Sequence, residues 1–330
     1  MKKRILTFIS AFLFVAALAS GCSAPGEEGV VRIGVIQMVH HPSLDEIREA
    51  FLAEMLNLGY TEDNFDVRVG PGNDMAALTS IAQIFIGDNV DLIMAITTPG
   101  ALAAAGAVAA AGSDIPIVFS AVSNPVNAGL VDRLDQTDRN ITGISDALDV
   151  EAIFALVRQL TPDARRFGLV YSFEPNAVSI INEVKEYFAA NPQHGFSYIE
   201  ATVTSTADVQ DAALSLVGDI DAFFTATDNT VAAAMPLFAQ VAIDAGLPIF
   251  TGADSMVRDG GFATVGIDYI LLGAETARLV DKVLDGTPVS QLPVVVMYNV
   301  QPPVPIVNAN TAAAIGIGLD GFLGNVFEGN

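Results

Sequence analysis

Residues 91–99 read Asp91-Leu-Ile-Met-Ala-Ile-Thr-Thr-Pro99. Residues 221–229 read Asp221-Ala-Phe-Phe-Thr-Ala-Thr-Asp-Asn229. In both stretches an acidic residue precedes a short apolar run typical of a buried strand, and polar residues then lead into an Ala-rich run typical of a helix. The chain therefore contains the same strand-to-helix unit twice, which indicates an internal duplication.

Two further pairs of segments support this duplication. Arg32-Ile-Gly-Val-Ile-Gln37 matches Arg166-Phe-Gly-Leu-Val-Tyr171. Pro116-Ile-Val-Phe-Ser-Ala121 matches Pro248-Ile-Phe-Thr-Gly-Ala253 with one gap. Because β-rich runs alternate with helical patterns in both halves, the predicted fold class is α/β, with two doubly wound parallel-sheet lobes joined by a hinge.

The expected elements follow the same order in each half. The predicted strands are 31–37, 66–69, 92–96, 117–120 and 141–145, then 167–171, 197–201, 222–225, 248–251 and 263–267. The predicted helices are 44–58, 75–87 and 99–111, then 176–190, 207–217 and 229–245. Ser43-Leu-Asp-Glu46 has the spacing of a capping box, in which Ser43 and Glu46 satisfy each other's backbone amides at the start of the first helix.

The lobe boundaries follow from two expected chain crossings, near 142–150 and 266–269. A helix at 271–284 and a strand at 294–299 are expected to return to the first lobe. The assigned ranges are 31–144 and 268–330 for lobe 1 and 145–267 for lobe 2. Ligands of open parallel sheets bind beyond the carboxyl ends of the strands, so two facing lobes should enclose one cleft and close over it.

The first thirty residues have the pattern of a secretory leader. Lys2, Lys3 and Arg4 precede an uncharged apolar run that ends in Ala19-Ser-Gly-Cys22. The run is shorter than the roughly 20 residues of a membrane-spanning helix. Its ending resembles a bacterial lipobox, which implies cleavage after a signal peptide at 1–21, lipidation of Cys22 and a lipid-anchored linker at 22–30. An ordinary signal peptide with an incidental cysteine is the alternative.

The composition narrows the range of partners. The formal net charge is −23, and loss of the three basic residues of the leader takes it to −26, with Lys185 and Lys282 the remaining lysines. Such a surface repels nucleic acid and offers no basic groove for phosphates. Since Cys22 is the sole cysteine, no intrachain disulfide can form.

Enzyme signatures are missing from the sequence. It has no G-x-S-x-G elbow, no P-loop and no H-E-x-x-H helix. The histidines, His40, His41 and His194, do not have the spacing of paired helical metal ligands; His40-His41 follows the first strand and could reach the cleft or lie on a surface loop. Neither a metal nor a cofactor is predicted. Thr, Ser, Asn and Asp populate the strand ends, which favours binding by hydrogen bonds over turnover.

The duplicated loops hold the main binding candidates. At Thr97-Thr98-Pro99 hydroxyls and a Pro begin a helix, so free backbone donors and the positive helix end can hold a carboxylate. Asp228 takes the corresponding place of Thr98 in the second lobe. Each residue can equally serve as a plain helix cap. The full set of candidate ligand-binding residues is Gln37, Thr97, Thr98, Ser120, Ser123, Asp146, Asn176, Asp228, Asn229 and Asp254.

Several segments in the same order resemble the ABC-transporter substrate-binding family whose characterised members bind aromatic amino acids, the tryptophan-binding-protein-like family. They are IGVIQ (33–37), HPSLDEIREAF (41–51), DLIMAITTPGA (91–101), IPIVFSAVSNPVNAGLV (115–131), NITGISD (140–146), TDNTVA (227–232), GIDY (266–269) and LG (272–273).

The resemblance implies a type I periplasmic-binding-protein fold, an extracytoplasmic location and no catalysis. It also implies delivery of a small zwitterionic ligand, an aromatic or other apolar amino acid, to ABC permease and ATPase subunits. A lipid-anchored ligand sensor for a membrane signalling protein would have the same sequence features. A secreted hydrolase or isomerase is the third alternative, and it would need a base and a nucleophile that the sequence does not offer.

Overall fold

The computed structural model describes residues 29–38, 41–61, 63–137 and 139–329. The predicted signal peptide, Cys22 and all but the last two residues of the predicted linker lie outside the described residues. So does His40. None of the helices in the described ranges is long and apolar enough to cross a membrane.

The first lobe is built on a six-stranded parallel sheet with the order β11-β5-β4-β3-β1-β2. Its elements before the first crossing are β1 (Val31–Met38), α1 (Pro42–Asn57), β2 (Phe65–Gly72), α2 (Met75–Gly87), β3 (Leu92–Ile96), α3 (Thr98–Ala111), β4 (Ile117–Ser120) and β5 (Ile141–Ser145). After the second crossing, α10 (Tyr269–Leu284), β11 (Val295–Val296) and α11 (Met297–Val300) complete it. The predicted strands of this half agree closely with β1 to β5.

The second lobe has a seven-stranded sheet with the order β13-β12-β10-β9-β8-β6-β7. Its elements are α4 (Val150–Leu160), β6 (Arg166–Ser172), α5 (Pro175–Ala190), β7 (Ser197–Val203), α6 (Val209–Leu214), β8 (Ala222–Thr225), α7 (Asn229–Ala232), α8 (Met235–Asp244), β9 (Ile249–Thr251), α9 (Asp254–Arg258), β10 (Ala263–Gly266), β12 (Val304–Asn308), α12 (Ala309–Ala314) and β13 (Asn325–Phe327). Short 3-10 turns lie at Pro192–His194, Thr206–Asp208 and Val289–Gln291. The two lobes therefore repeat one doubly wound α/β unit, as the fold-class prediction states.

The end of the chain departs from the predicted boundaries. β12 pairs antiparallel with β10, and β13 pairs with β12, so residues 304–327 belong to the second sheet. The assignment of all of 268–330 to lobe 1 was wrong in this part. A third crossing at Gln301-Pro302-Pro303 returns the chain, because two prolines cannot continue the preceding helix. The predicted strand at 294–299 shortens to the two residues of β11.

The helix predicted at 229–245 is divided in two. Pro236 lies in the first turn of α8, where its missing N–H is tolerated, whereas in a continuous helix it would remove a hydrogen bond. The predicted helix at 207–217 likewise resolves into a 3-10 turn and the six-residue α6. These breaks leave α7 as a single short turn at the end of β8.

The two lobes have different cores. In the second lobe, aromatic rings pack together; for example, the ring centroids of Phe154 and Phe188 lie 4.9 Å apart at an interplanar angle of 84°. In the first lobe, α3 packs on the sheet through alanines, which let it lie close to the strands. α10 packs against α1, where a Cβ on Gly273 would lie 2.4 Å from the carbonyl oxygen of Ile47.

Candidate functional site

The carboxyl ends of the two sheets face each other across one cavity with a volume of about 30 Å³. Its lining comes from both lobes: His41, Ser43, Leu44, Thr97, Ala121, Ser123, Asp146 and Tyr269 on one side, and Asn176, Thr227, Asp228, Asn229, Ala232, Ala253 and Met256 on the other.

The first-lobe wall contains two residues with unusual backbone angles. Thr97, which precedes α3, has φ 78°, and Ala121, which follows β4, has φ 54°. Residues other than glycine rarely adopt a positive φ, and a β-branched residue such as Thr97 is strained in that conformation. The Thr97 hydroxyl accepts a hydrogen bond from the Gly100 amide at 3.5 Å and caps α3. The wall is therefore a constrained turn that aims the N-terminus of a fourteen-residue helix at the cavity.

The second-lobe wall is built around Asp228, the N-cap of α7. Its Oδ1 accepts from the Val231 amide at 3.0 Å and from the Ser172 hydroxyl at 3.1 Å, and its Oδ2 accepts from the Ser172 amide. Burial, and after it the charge of Glu174, raises the pKa of Asp228 to about 6. Among the described residues, no cation pairs with this carboxyl.

Glu174 holds the turn that carries Asp228. One of its oxygens accepts from the amide and the hydroxyl of Thr230, at 3.0 and 2.8 Å, and the other accepts from the Asn229 side chain at 2.5 Å. Two carboxylates thus converge on the first residues of α7. The second-lobe wall is negative where the first-lobe wall presents a helix N-terminus.

A third carboxyl, Asp146, lies at the side of the cavity. It accepts hydrogen bonds from the Ser123 hydroxyl at 3.0 Å and from the Tyr269 hydroxyl at 3.3 Å. Burial raises its pKa, and burial followed by the nearby Asp146 charge raises the pKa of Tyr269 well above its usual value. The Ser123 hydroxyl also lies 3.2 Å from that of Thr227, which connects this group to the second lobe.

Two buried polar atoms at the cavity have no hydrogen-bond partner within the described part of the chain. They are Oδ1 of Asn176, whose Nδ2 donates to the Thr227 carbonyl, and Nε2 of His41. Burial lowers the pKa of His41 to about 4, with Asp45 opposing the shift and Arg258 adding to it, so the imidazole is neutral at neutral pH. Buried polar groups are normally paired, so these two unpaired atoms are exceptions.

The lobes are closed on each other around this cavity. The Ser43 hydroxyl donates to that of Ser255 at 2.6 Å, and Arg258 binds Glu46 through two hydrogen-bonding contacts, at 2.9 and 3.0 Å. Further bonds between lobes join Asn124 to Glu183 and Asn127 to Ser179. The predicted capping box was wrong: no side chain caps α1, and both Ser43 and Glu46 bond the second lobe instead.

Six of the predicted binding residues line the cavity: Thr97, Ser123, Asp146, Asn176, Asp228 and Asn229. Ligand contact by each of them stays a prediction. Two others are engaged inside the first lobe. Gln37 donates to Asp45 and accepts from Arg48, and the Ser120 hydroxyl lies 2.8 Å from that of Thr276 on α10. Their side chains lie off the cavity although their strands end at it.

The last two candidates border neighbouring cavities. Thr98 is buried, and its hydroxyl has no partner among the described residues; it lines a polar cavity beside α5. Asp254 pairs with Arg258 at 3.2 Å and borders a cavity next to the third crossing. Burial raises the pKa of Asp254 to about 6, against the opposing charge of Arg258.

The apolar part of the lining was missed from sequence. It comprises Leu44, Ala121, Ala232, Ala253, Met256 and Tyr269. All but Ala121 lie in or just before the first turns of a helix that follows a strand, where an apolar residue gives no signal distinct from a core position. The tyrosine lies in the GIDY segment, where the sequence indicated the second crossing.

The described residues show no group of three or more His, Cys, Asp or Glu arranged to hold a metal ion. A cavity between two lobes, with the Asp228 carboxyl on one wall and a helix N-terminus on the other, is typical of a protein that binds a small molecule. Residues 32–323 match the family described as ABC transporter substrate binding protein, and the chain belongs to that family. Members of this family are extracytoplasmic and work with ABC permeases.

Related proteins agree with this assignment. The chain is 34% identical over 328 residues to a tyrosine-binding protein of Clostridioides difficile, covering 95% of this chain and 92% of that one. A Streptococcus pneumoniae ABC domain in complex with L-Trp has a TM-score of 0.84 at 28% identity, with 90% of this chain and 100% of that chain covered. A 5-methylthioribose-binding protein of Thermotoga lettingae, at 16% identity and a TM-score of 0.59, shares the fold.

A further structure bears on the state of the lobes. The ligand-free, open structure of a Clostridium difficile substrate-binding protein with adhesive properties is 34% identical, with 91% of this chain and 100% of that chain covered, yet its TM-score is 0.69. The L-Trp complex superposes better at lower identity. In the present structure, hydrogen bonds from Ser43 to Ser255 and from Arg258 to Glu46 join the two lobes.

Proposed function

We propose that this protein is a lipid-anchored receptor that captures a zwitterionic amino acid with an aromatic side chain and delivers it to an ABC permease and its ATPase. The observation that carries the proposal is the opposed polarity of the two cavity walls. An amino acid has a carboxylate and an ammonium a few ångströms apart, and each wall complements one of them.

The ligand carboxylate is assigned to the first-lobe wall. The N-terminus of α3 carries a partial positive charge, and its N-cap residue Thr97 lines the cavity. Within the described residues, no Lys or Arg lines the cavity, so a phosphate or a polyanion would be poorly neutralised.

The ligand ammonium is assigned to Asp228. This carboxyl is buried, lacks a cation and has Glu174 beside it, so its ionised form is costly without a ligand. A bound ammonium would remove that cost through a charge-assisted hydrogen bond. Asp146 is the second carboxyl of the same cavity. It binds the ligand ammonium if Asp228 serves only as the N-cap of α7.

The side chain of the ligand is assigned to the apolar end of the cavity. Leu44 follows Ser43 and Met256 follows Ser255, the two serines whose hydroxyls are hydrogen-bonded, and both apolar residues line the cavity. Tyr269 and Ala253 also line the cavity. The names of the Clostridioides and Streptococcus relatives support an aromatic ligand. The protein is proposed to bind and release it without catalysis.

The binding proposal is tested by calorimetric titration of the refolded, ligand-free protein with the twenty amino acids and a phosphorylated sugar. We expect saturable binding of at least one aromatic amino acid and a rise in thermal stability, since a ligand at about 100 times its Kd adds about 2.7 kcal/mol. If the protein binds the phosphorylated sugar tightly and binds none of the amino acids, the proposal is wrong.

The anchor is tested separately. In cells, Cys22→Ala should leave the precursor uncut or release the protein from the membrane fraction, while ligand affinity stays unchanged. Fractionation and immunoblotting of both forms measure this. Undiminished membrane association of cut Cys22→Ala protein would exclude the lipid anchor and leave the binding proposal intact.

A further inference from the structure

His41 is the histidine of the cavity, and its role follows from its position. It lies between β1 and α1, is 6% exposed, and carries at Nε2 a buried polar atom with no partner in the described ranges. A buried polar atom without a partner costs free energy, so it marks a place where a ligand atom is expected.

His41 lines the same cavity as the apolar residues Leu44 and Met256. It stands two residues before Ser43, whose hydroxyl bonds Ser255, and Leu44 and Met256 flank that bond. Arg258 of α9, which follows Met256, is close enough to contribute to the electrostatics of the imidazole. The carboxyls Asp228 and Asp146 belong to other strand ends.

Neutral imidazole nitrogens can accept or donate one hydrogen bond, depending on the tautomer. A phenol hydroxyl can satisfy either case, and an indole N–H satisfies an acceptor nitrogen. A phenyl ring satisfies neither and would leave Nε2 unpaired in the closed site. A site that bonds a polar ligand atom rejects the analogue that lacks it.

We propose that Nε2 of His41 hydrogen-bonds the polar ring atom of the bound aromatic amino acid and thereby selects tyrosine- or tryptophan-like ligands over phenylalanine. This inference rests on the proposed function, because it requires an aromatic amino acid whose ring lies at the Leu44 and Met256 end. His41 is then a specificity residue for the ring, distinct from the groups that hold the zwitterion.

The test compares calorimetric Kd values for L-tyrosine, L-tryptophan and L-phenylalanine in the wild type, His41→Leu and His41→Gln. The wild type should bind tyrosine or tryptophan at least about tenfold more tightly than phenylalanine. In His41→Leu this preference should fall to about one, through weaker binding of the polar ligand with phenylalanine unchanged or tighter. His41→Gln, which keeps a donor and an acceptor, should retain part of the preference.

His194→Leu is the matched control. His194 lies in the 3-10 turn before β7, beside Tyr187 and away from the cavity, so the same substitution there should leave the ratio of affinities unchanged. Equal weakening of all three ligands in His41→Leu, or a wild type that binds phenylalanine as tightly as tyrosine and tryptophan, overturns the inference alone. A wild type that binds no aromatic amino acid overturns the proposed function as well. If His41→Leu does not fold, the ratio of the wild-type Kd values for phenylalanine and for tyrosine or tryptophan still tests the inference.

Discussion

The two copies of the strand-to-helix loop differ most at one position. In the first lobe, Thr97 takes φ 78° and caps the fourteen residues of α3, with Thr98 next. In the second, Asp228 takes the matching place of Thr98, has an ordinary φ of −107° and caps a helix of four residues. The two loops share the strand end and differ in charge, so the two walls have opposite polarity.

The different lengths of the two helices strengthen this contrast. A long helix concentrates partial positive charge at its N-terminus, whereas a single turn contributes little, so the electrostatics of the second wall come from side chains. Glu174 and Asp228 supply them, and each is held by backbone amides of the short turn. A symmetric pair of donor walls would have favoured a dianion instead of a zwitterion.

The Asp228→Asn substitution should have the largest effect, because it removes the charge that distinguishes the second-lobe wall from the first. Losing the charge should weaken amino-acid affinity by about ten- to a hundredfold, because a charge-assisted hydrogen bond contributes about 1.5–3 kcal/mol. Calorimetric titration measures the change. Asp149→Asn, which alters the side chain that caps α4 outside the cavity, is the control for capping alone.

The Asp228→Asn variant also tests whether Asp228 or Asp146 binds the ligand ammonium. The new amide would face the Ser172 amide, so a loss of stability in the ligand-free protein is expected beside the loss of affinity. If Asp228→Asn binds normally while its thermal stability falls, Asp228 is a cap. Asp146→Asn should then show the large loss of affinity.

A pair of glycines compares how tightly the two lobes are packed. Gly34 in β1 and Gly168 in β6 are equivalent in the matched hexapeptides. A Cβ on Gly34 would lie 2.4 Å from the ring of buried Phe85, whereas on Gly168 it would lie 2.8 Å from the terminal methyl of Ile220. Gly34→Ala should cost about 1–3 kcal/mol of unfolding free energy and Gly168→Ala less, because a terminal methyl can rotate away. Urea denaturation midpoints measure both, and equal losses would contradict the expected difference.

The pH dependence of ligand affinity tests the assignment of the ligand ammonium to Asp228. In the ligand-free protein, burial and then Glu174 raise the pKa of Asp228 to about 6, so the carboxyl is protonated below that pH. An ammonium favours the carboxylate, so binding is at full strength above about pH 6 and weakens as the pH falls through it. At pH 5 we expect about tenfold weaker binding, one pKa unit being a factor of ten.

Titrations between pH 7.5 and 5.0 in wild type and Asp228→Asn check this dependence. The variant should bind more weakly and show little change with pH. A pH dependence that persists in Asp228→Asn would point to Asp146, whose pKa burial also raises.

Strand ends could be predicted from sequence because apolar runs and the duplication fix them, and the fold followed from their order. The sequence could not predict on which side of its strand each residue lies. Ser120 ends β4 and bonds Thr276 on α10, an element 150 residues later that no local pattern connects to it. The capping-box motif failed for the same reason, since Ser43 and Glu46 have partners in the other lobe.

The C-terminal strands show a second limit. β12 joins the second sheet through antiparallel pairing with β10, and neither copy of the duplicated unit contains an equivalent strand. The duplication therefore gave no guide beyond residue 300. The apolar residues of the cavity could not be predicted for another reason. Leu44 and Met256 line the cavity, but their sequence pattern is that of the buried faces of helices.

The smallest expected effect concerns Thr98, the counterpart of Asp228. Its hydroxyl is buried without a partner in the described chain and lies beside the neighbouring polar cavity, so it makes no contact that a ligand in the main cavity would need. Thr98→Val keeps the shape and removes the unpaired hydroxyl, which should raise the unfolding free energy by up to about 1 kcal/mol. Amino-acid affinity should stay within about twofold. Denaturation midpoints and calorimetry measure the two quantities on one sample. A tenfold loss of affinity would show that the Thr98 hydroxyl binds ligand and that both loops of the duplication contribute the same position to the site.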